Sequence, residues 1–258
     1  MPRTSNNPLE AVEIARRQMT LFFIVDTSGS MQGEKIAAVN TAIREVLPEL
    51  ADISSENADA QIKVACLQFA TEINWLFSPT EVEGMQWNDL QAGGLTNLGS
   101  AISELNDKLS RNKFMNSPTG NFAPVLFLLS DGMPSDSYQS ALAAIQENKW
   151  FNVSIKAAIA IGDDANKQVL TEFTGNSELV LTAHTPEALK ALIRFVSVTS
   201  SKIGSKSSGV GIGNSAAQNG TEIKQAEFAE QVAQRICGKW AEISDIGISY
   251  ELEIVSPD

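Results

Sequence analysis

The sequence predicts an α/β fold, a doubly wound and mostly parallel sheet with one antiparallel edge strand. Three observations predict it. Short apolar runs recur along the chain, several of them apolar on both faces, as strands covered by helices on both sides require. Between them apolar residues return at helical spacing. One run follows its predecessor too closely for a crossover helix, so the two strands must run antiparallel.

The elements follow in order. "TLFFIVD" (20–26) reads as the first strand, and Ile36, Val39, Ile43 and Leu47 form the stripe of a helix behind it. "QIKVACLQFA" (61–70) is the second strand, with "EINWLF" (72–77) as its antiparallel partner at the sheet edge. Leu98, Ala101, Leu105 and Leu109 mark a second helix, ahead of the strands "APVLFLLSD" (123–131), "VSIKAAIAIG" (153–162) and "ELVLTA" (178–183). Leu189, Leu192, Ile193 and Val196 close the series with a third helical stripe. In front, Leu9, Val12, Arg16 and Met19 suggest a short helix or a solvated arm over 1–17. From Ser197 to Gly220 the composition turns to Ser, Gly, Lys and Asn, which reads as a linker or surface loop, placed at 201–220. The remaining 221–258 carry a helical stripe (Ala226, Ala229, Ala233, Ile236) and an alternating strand, "GISYELEIV" (247–255), that pack back on the domain or on a partner.

A chain of 258 residues with 43% hydrophobic content suits one core. The formal charge of -12 repels phosphate backbones and anionic lipid, so neither nucleic acid nor membrane is an expected partner. Two cysteines, Cys66 and Cys237, form no disulfide framework and are expected to be free thiols. Glu10, Glu13, Arg16 and Arg17 interrupt any apolar run of a secretory signal, and no later run is long enough to span a bilayer. The cytoplasm is the expected compartment.

One stretch carries chemistry. In "FFIVDTSGSMQGEKI" (22–36), Asp26 ends the first strand and Ser28 and Ser30 follow on alternate positions, with Gly29 to bend the backbone between them. Ligands of doubly wound sheets bind beyond the carboxyl ends of the strands, where strand order reverses. A carboxylate and two hydroxyls supply only oxygen, the donor that hard divalent cations prefer. Two more loops belong to the same edge: "GGLTNLGSAI" (93–102), which contains Thr96, and "LLSDGMPSD" (128–136), with Asp131 at a strand end. Each feature also has a plainer reading. Ser28 and Ser30 could cap the helix beginning near Gly33, and Asp131 could be a turn former before Gly132. Asp163 and Asp164 read as caps of the next helix, and His184 as a structural residue before Thr185 and Pro186. "GVGIGN" (209–214) lacks the preceding strand that a phosphate loop needs.

Asp26-x-Ser28-x-Ser30, the threonine about 70 residues on and Asp131-Gly132, in that order at three strand ends, resemble the von Willebrand factor A domain and its metal-ion-dependent adhesion site. The resemblance covers roughly residues 18–200. It implies that Ser28, Ser30 and Thr96 are hydroxyl ligands of Mg2+, with Mn2+ or Ca2+ as alternatives, and that Asp26 and Asp131 bind directly or through water. "FIVDTSGSMQGEKIAAVN", "LLSDGMPSD" and "IAIGDDANKQVL" are most similar to bacterial cytosolic members of the tellurite-resistance TerY type. That likeness implies a signalling or stress-response complex with a serine/threonine kinase and a metal-dependent protein phosphatase. Leu95 departs from the family, standing where a third glycine is common. With two carboxylates on a divalent ion, an open position would accept a carboxylate from a partner protein, so the expectation is an adhesive bridge and not a catalyst. Two rival readings remain. One is a metal-dependent phosphatase or hydrolase, although Ser28 stands where an Asp26 nucleophile would want a proton donor, and no nucleophile elbow surrounds Ser28. The other is a structural subunit with an empty site.

Overall fold

β1 (Arg17–Asp26) is flanked by two parallel neighbours, β2 (Ala60–Phe69) on one side and β4 (Val125–Ser130) on the other. A strand enclosed in this way has no solvent face, which is why every residue from Met19 to Asp26 is buried. The structure is a computed structural model that describes residues 16–131, 133–162, 165–205, 223–232, 234 and 248–249. Its sheet has the order β3-β2-β1-β4-β5-β6-β7. β3 (Ile73–Glu81) runs antiparallel to β2 at one edge, and β5 (Ile155–Ile161) and β6 (Val180–Ala183) continue the parallel array beyond β4. At the far edge β7 (Ile248–Ser249) adds a two-residue antiparallel pairing to β6, inside the 247–255 stretch that alternates in sequence.

Alternate β1 side chains feed two cores. Leu21, Phe23 and Val25 pack beneath α1 (Glu34–Glu56) and α6 (Pro186–Gly204). Phe22 and Ile24 face the opposite layer, made by α2 (Leu98–Lys108), α3 (Tyr138–Gln146), α4 (Lys149–Asn152) and α5 (Lys167–Thr174). The Thr185 hydroxyl accepts a bond from the Ala188 N–H to cap α6, with Pro186 opening the helix. Because the chain moves from β1 outward to β2 and then returns to the other side as β4, strand order reverses between β1 and β4. Their carboxyl ends, Asp26 and the residues after Ser130, define the crevice.

Two sequence expectations change. Arg16 and Met19 are not helical: Met19 lies in β1, while the Arg16 guanidinium bonds the Ser54 and Asn57 carbonyls at 2.5 and 3.1 Å. Residues 1–15 lie outside the described residues. The segment 197–204, expected as part of a linker, is the last two turns of α6. Its small side chains serve close packing there, not flexibility: a Cβ at Gly204 would lie 2.8 Å from the Met19 sulfur. Cys237, Asp163, Asp164 and the 206–222 segment with "GVGIGN" lie outside the described residues. Cys66 is a free, fully buried thiol.

The 223–232 helical stretch packs on the domain, with Phe228 and Val232 fully buried in the α1/α6 layer. β6 pairs with β5 only from Ala158 onward, leaving the Lys156 backbone unpaired on that side. The Gln225 amide covers it, accepting from the Lys156 N–H at 3.0 Å and donating to the Lys156 carbonyl at 3.2 Å. The Lys156 ammonium is drawn inward, 3.0 Å from the Phe151 carbonyl and 4.8 Å from the centre of its ring.

Two loops are pressed together beside the crevice. A Cβ on Gly99, in the first turn of α2, would lie 2.8 Å from both the Ser137 carbonyl oxygen and Tyr138 Cα, so only glycine fits. At Gly93, by contrast, the nearest atom is the Gln32 side chain at 4.0 Å. Gly99→Ala is therefore expected to cost about 1–3 kcal/mol through overpacking, and Gly93→Ala almost nothing, as thermal denaturation of the two variants will show. Burial pushes the Lys156 ammonium from its ordinary 10.5 down to about 8. The folded state thus resists charging this group, a penalty fully present below pH 8 and relieved as pH climbs toward the unfolded value. Lys156→Met is expected to stabilise the protein at pH 7 by on the order of 1–3 kcal/mol, with its advantage in melting temperature shrinking between about pH 8 and 10.

Candidate metal centre

Asp26 sits fully buried at the end of β1. One carboxylate oxygen accepts the Ser28 N–H at 2.8 Å and the other accepts the Ser130 hydroxyl at 2.7 Å. Burial pushes the carboxyl above its usual range and the nearby Asp131 charge adds to the rise, while the Ser28 and Ser130 hydrogen bonds oppose it. An anion in this position favours any cation that can reach it.

The loop after Asp26 is tied down on both sides. The Thr27 N–H and hydroxyl both bond the Phe69 carbonyl, at 2.8 and 3.2 Å. Ser28 is extended, Gly29–Met31 makes one 3-10 turn with Met31 buried as its anchor, and α1 begins only at Glu34. The residue preceding α1 is Gly33, with φ 80°, and no side chain caps this helix. The plainer reading of the serines as helix caps therefore fails. Instead the Ser28 and Ser30 hydroxyl oxygens lie 3.1 Å apart, and the Ser30 hydroxyl donates to Asp131 Oδ1 at 2.6 Å. The Lys35 ammonium, from the first turn of α1, donates to Asp131 Oδ2. The Asp131 carboxylate, with no solvent-exposed side-chain area, thus reaches across to the first loop.

Thr96 arrives from the 93–97 loop. The Gly93 N–H bonds the Thr27 carbonyl at 2.7 Å, and the Gly29 N–H bonds the Gly94 carbonyl at 3.0 Å, stitching this loop to the first. The other side is held to the β4–α3 loop. The Thr96 N–H donates to the Ser135 hydroxyl at 3.1 Å, and the Ser135 N–H donates to the Thr96 carbonyl at 2.8 Å. Asp136 then caps α2 from 37 residues away, its carboxylate accepting the Gly99 N–H at 2.8 Å and the Ser100 N–H at 2.9 Å. Thr96 is buried, and its hydroxyl makes no hydrogen bond among the described residues. Asp26, Ser28, Ser30 and Asp131 are linked by hydrogen bonds, whereas Thr96 joins them through backbone contacts of its loop. Leu95 projects into solvent, 58% exposed, with its N–H on the Thr71 hydroxyl.

The donor set suits a hard divalent ion: two carboxylates and neutral hydroxyls, with a lysine ammonium already drawn to one of the carboxylates. No group of three or more His, Cys, Asp and Glu side chains placed to hold a metal ion occurs among the described residues, so a centre here has to draw on serine and threonine oxygens. His184 is exposed at the carboxyl end of β6, three strand positions from β1. That separation, about 14 Å at the usual strand spacing, puts it beyond reach of Ser28 as a base. Sequence reasoning missed Lys35, Ser130, Ser135 and Asp136. Lys35 had a readable signal, since a cation in the first turn of a helix opposes the helix dipole and wants a partner elsewhere. Asp136 had none, because two residues before α3 it reads as a cap for that helix.

Among solved structures, proximal thread matrix protein 1 from the mussel byssus, in a form with a zinc-occupied MIDAS motif, matches at 18% identity with a TM-score of 0.53, covering 72% of this chain and 48% of that one. A von Willebrand factor type A protein from Catenulispora acidiphila matches at 16% identity and a TM-score of 0.52, covering 72% and 43%. The pilus adhesin SpaC from Lactobacillus rhamnosus GG, in its open conformation, matches at 13% identity and 0.56, covering 73% and 30%. The chain thus spans less than half the length of these structures, and at such identities they speak to the fold alone. No curated protein sequence matches the chain. No helix among the described residues is long and apolar enough to cross a membrane. The family profile of the von Willebrand factor type A domain matches residues 20–195, more than half of the sequence, and the chain belongs to that family.

Proposed function

We propose that this chain is a metal-dependent protein-interaction module, in which a divalent cation held by Asp26, Ser28, Ser30, Thr96 and Asp131 bridges to an Asp or Glu carboxylate of a partner protein. The observation that carries the proposal is the hydrogen-bonded string from Ser28 through Ser30 to Asp131, placed beside buried Asp26 at the strand-order reversal. Neither serine is spent on a helix cap. Mg2+ is the proposed ion, with Mn2+ or Ca2+ as alternatives, because every donor is oxygen and the site carries two carboxylates. Two carboxylates balance a divalent charge without exceeding it, leaving the ion able to attract a third.

The surroundings suit a protein partner. Leu95 and Met133, 58% and 68% exposed, are two of the three large exposed hydrophobic residues among those described, and they border the loops of Thr96 and Asp131. The proposed setting is a cytoplasmic stress-response or signalling complex of the TerY type, with a kinase or protein phosphatase as partner. It is supported by the likeness of "LLSDGMPSD" and "IAIGDDANKQVL" to that group and by the unpaired Cys66. The proposed role is non-catalytic, because Ser28 has no histidine within reach and Asp26 has Ser28, not a second acid, two residues on.

Calorimetric titration with Mg2+, Mn2+ and Ca2+ tests the centre. Asp131→Ala should lose more than the roughly 10–100-fold in affinity that removal of a merely supporting partner costs. Thr96→Ala and Ser28→Ala should weaken binding with little change in melting temperature. Ile24→Ala, 1% exposed in the opposite core, should cost about 2–5 kcal/mol of stability and leave metal affinity intact. Absence of binding to all three ions would favour a structural subunit with an empty site. Phosphatase turnover lost on Asp26→Ala would establish an enzyme instead.

A further inference from the structure

We propose that Lys35 is a tethered counter-ion of the metal centre: its ammonium holds the Asp131 carboxylate when no divalent ion is bound, and a divalent ion enters only by displacing it. The inference rests on the metal-bridge reading above and names the residue that sets its affinity.

Lys35 is the second residue of α1, where the positive end of the helix dipole makes a cation unwelcome. Its side chain nevertheless turns inward. It runs along the backbone of Gly162, where an added Cβ would lie 3.7 Å from both Cε and Nζ, and ends on Asp131 Oδ2. The Asp131 carboxylate has no exposed area, whereas the Lys35 side chain is 39% exposed, so the pair joins a buried anion to a side chain that water can reach. It is the one cation paired with Asp131 among the described residues.

The two partners of Asp131 differ in what they can share with a metal. The Ser30 hydroxyl donates to Oδ1 but keeps lone pairs that can face an ion, so it can hold Asp131 and ligate at once. An ammonium has three donors and no lone pair. It can only compete, and like charge drives it from any cation that reaches Oδ2. A monovalent ion offers Asp131 no more charge than Lys35 already does; a divalent ion offers twice as much. The tethered ammonium therefore weakens metal binding overall and biases the site toward divalent ions.

The test uses the full chain, stripped with chelator, as wild type, Lys35→Met, Lys35→Gln and Lys35→Arg, with calorimetric titration of MgCl2 and MnCl2 and melting curves with and without metal. Removing Lys35 leaves the buried Asp131 carboxylate without its counter-ion, so the metal-free Lys35→Met protein should melt below wild type. Its affinity for Mg2+ should rise by about tenfold or more, a gain worth about 1.4 kcal/mol, and its metal-induced rise in melting temperature should exceed that of wild type. Lys35→Gln should follow if Lys35→Met folds poorly, and Lys35→Arg should stay near wild-type affinity. Affinity in the Met and Gln variants equal to or below wild type, with the same melting loss in metal-free and metal-loaded protein, would mean a merely structural ion pair and overturn the proposal. If no form of the protein binds any of the ions, the metal-bridge reading itself falls, an outcome separate from unchanged affinity.

Discussion

Asp26 and Asp131 stand at the ends of two neighbouring parallel strands, both withdrawn from water, and the electrostatic cost of that placement organises the loops around them. A buried carboxylate is tolerated only where donors replace its lost hydration. Each oxygen here has one: the Ser28 N–H and Ser130 hydroxyl on Asp26, the Ser30 hydroxyl and Lys35 ammonium on Asp131. These donors come from the first loop, β4 and α1, so satisfying two charges ties three parts of the chain to one point. Burial still pushes the Asp26 carboxyl above its usual range, against the lowering effect of its hydrogen bonds to Ser28 and Ser130.

The rest of the fold keeps those charges in register. β1 can end in a buried Asp only because β2 and β4 satisfy its backbone on both sides and two helical layers cover its faces. The three loops at the crevice are held by backbone bonds, close approaches and a few side-chain hydrogen bonds. Gly29 meets the Gly94 carbonyl, Gly99 meets Ser137, and Asp136 caps a helix that is distant in sequence. As a result Thr96 and Asp131 belong to loops that are braced against each other. Substitution in the bracing would be felt at the centre without touching a candidate ligand.

Much of this was legible from the residues. The apolar runs identified the strands because enclosed parallel strands lack a polar face, and the closeness of 61–70 to 72–77 forced an antiparallel edge. Asp26, Ser28, Ser30, Thr96 and Asp131 stood out because each follows a strand or precedes a helix at the edge where doubly wound folds place their ligands. The small-residue segment 197–204 was misread, since composition records side-chain size but not whether that size provides flexibility or close packing against Met19.

By itself, then, the sequence determined the strand-helix alternation, the strand ends that carry Asp26 and Asp131 and the oxygen character of their loops, because these depend on local pattern and residue chemistry. Only the tertiary structure decided that the Ser30 hydroxyl bonds Asp131 and not the start of α1, that Asp136 serves α2, that Gln225 covers the open edge of β5, and that Lys35 closes on Asp131. Each of those joins residues dozens of positions apart in directions set by the packing of whole elements. No local pattern encodes them.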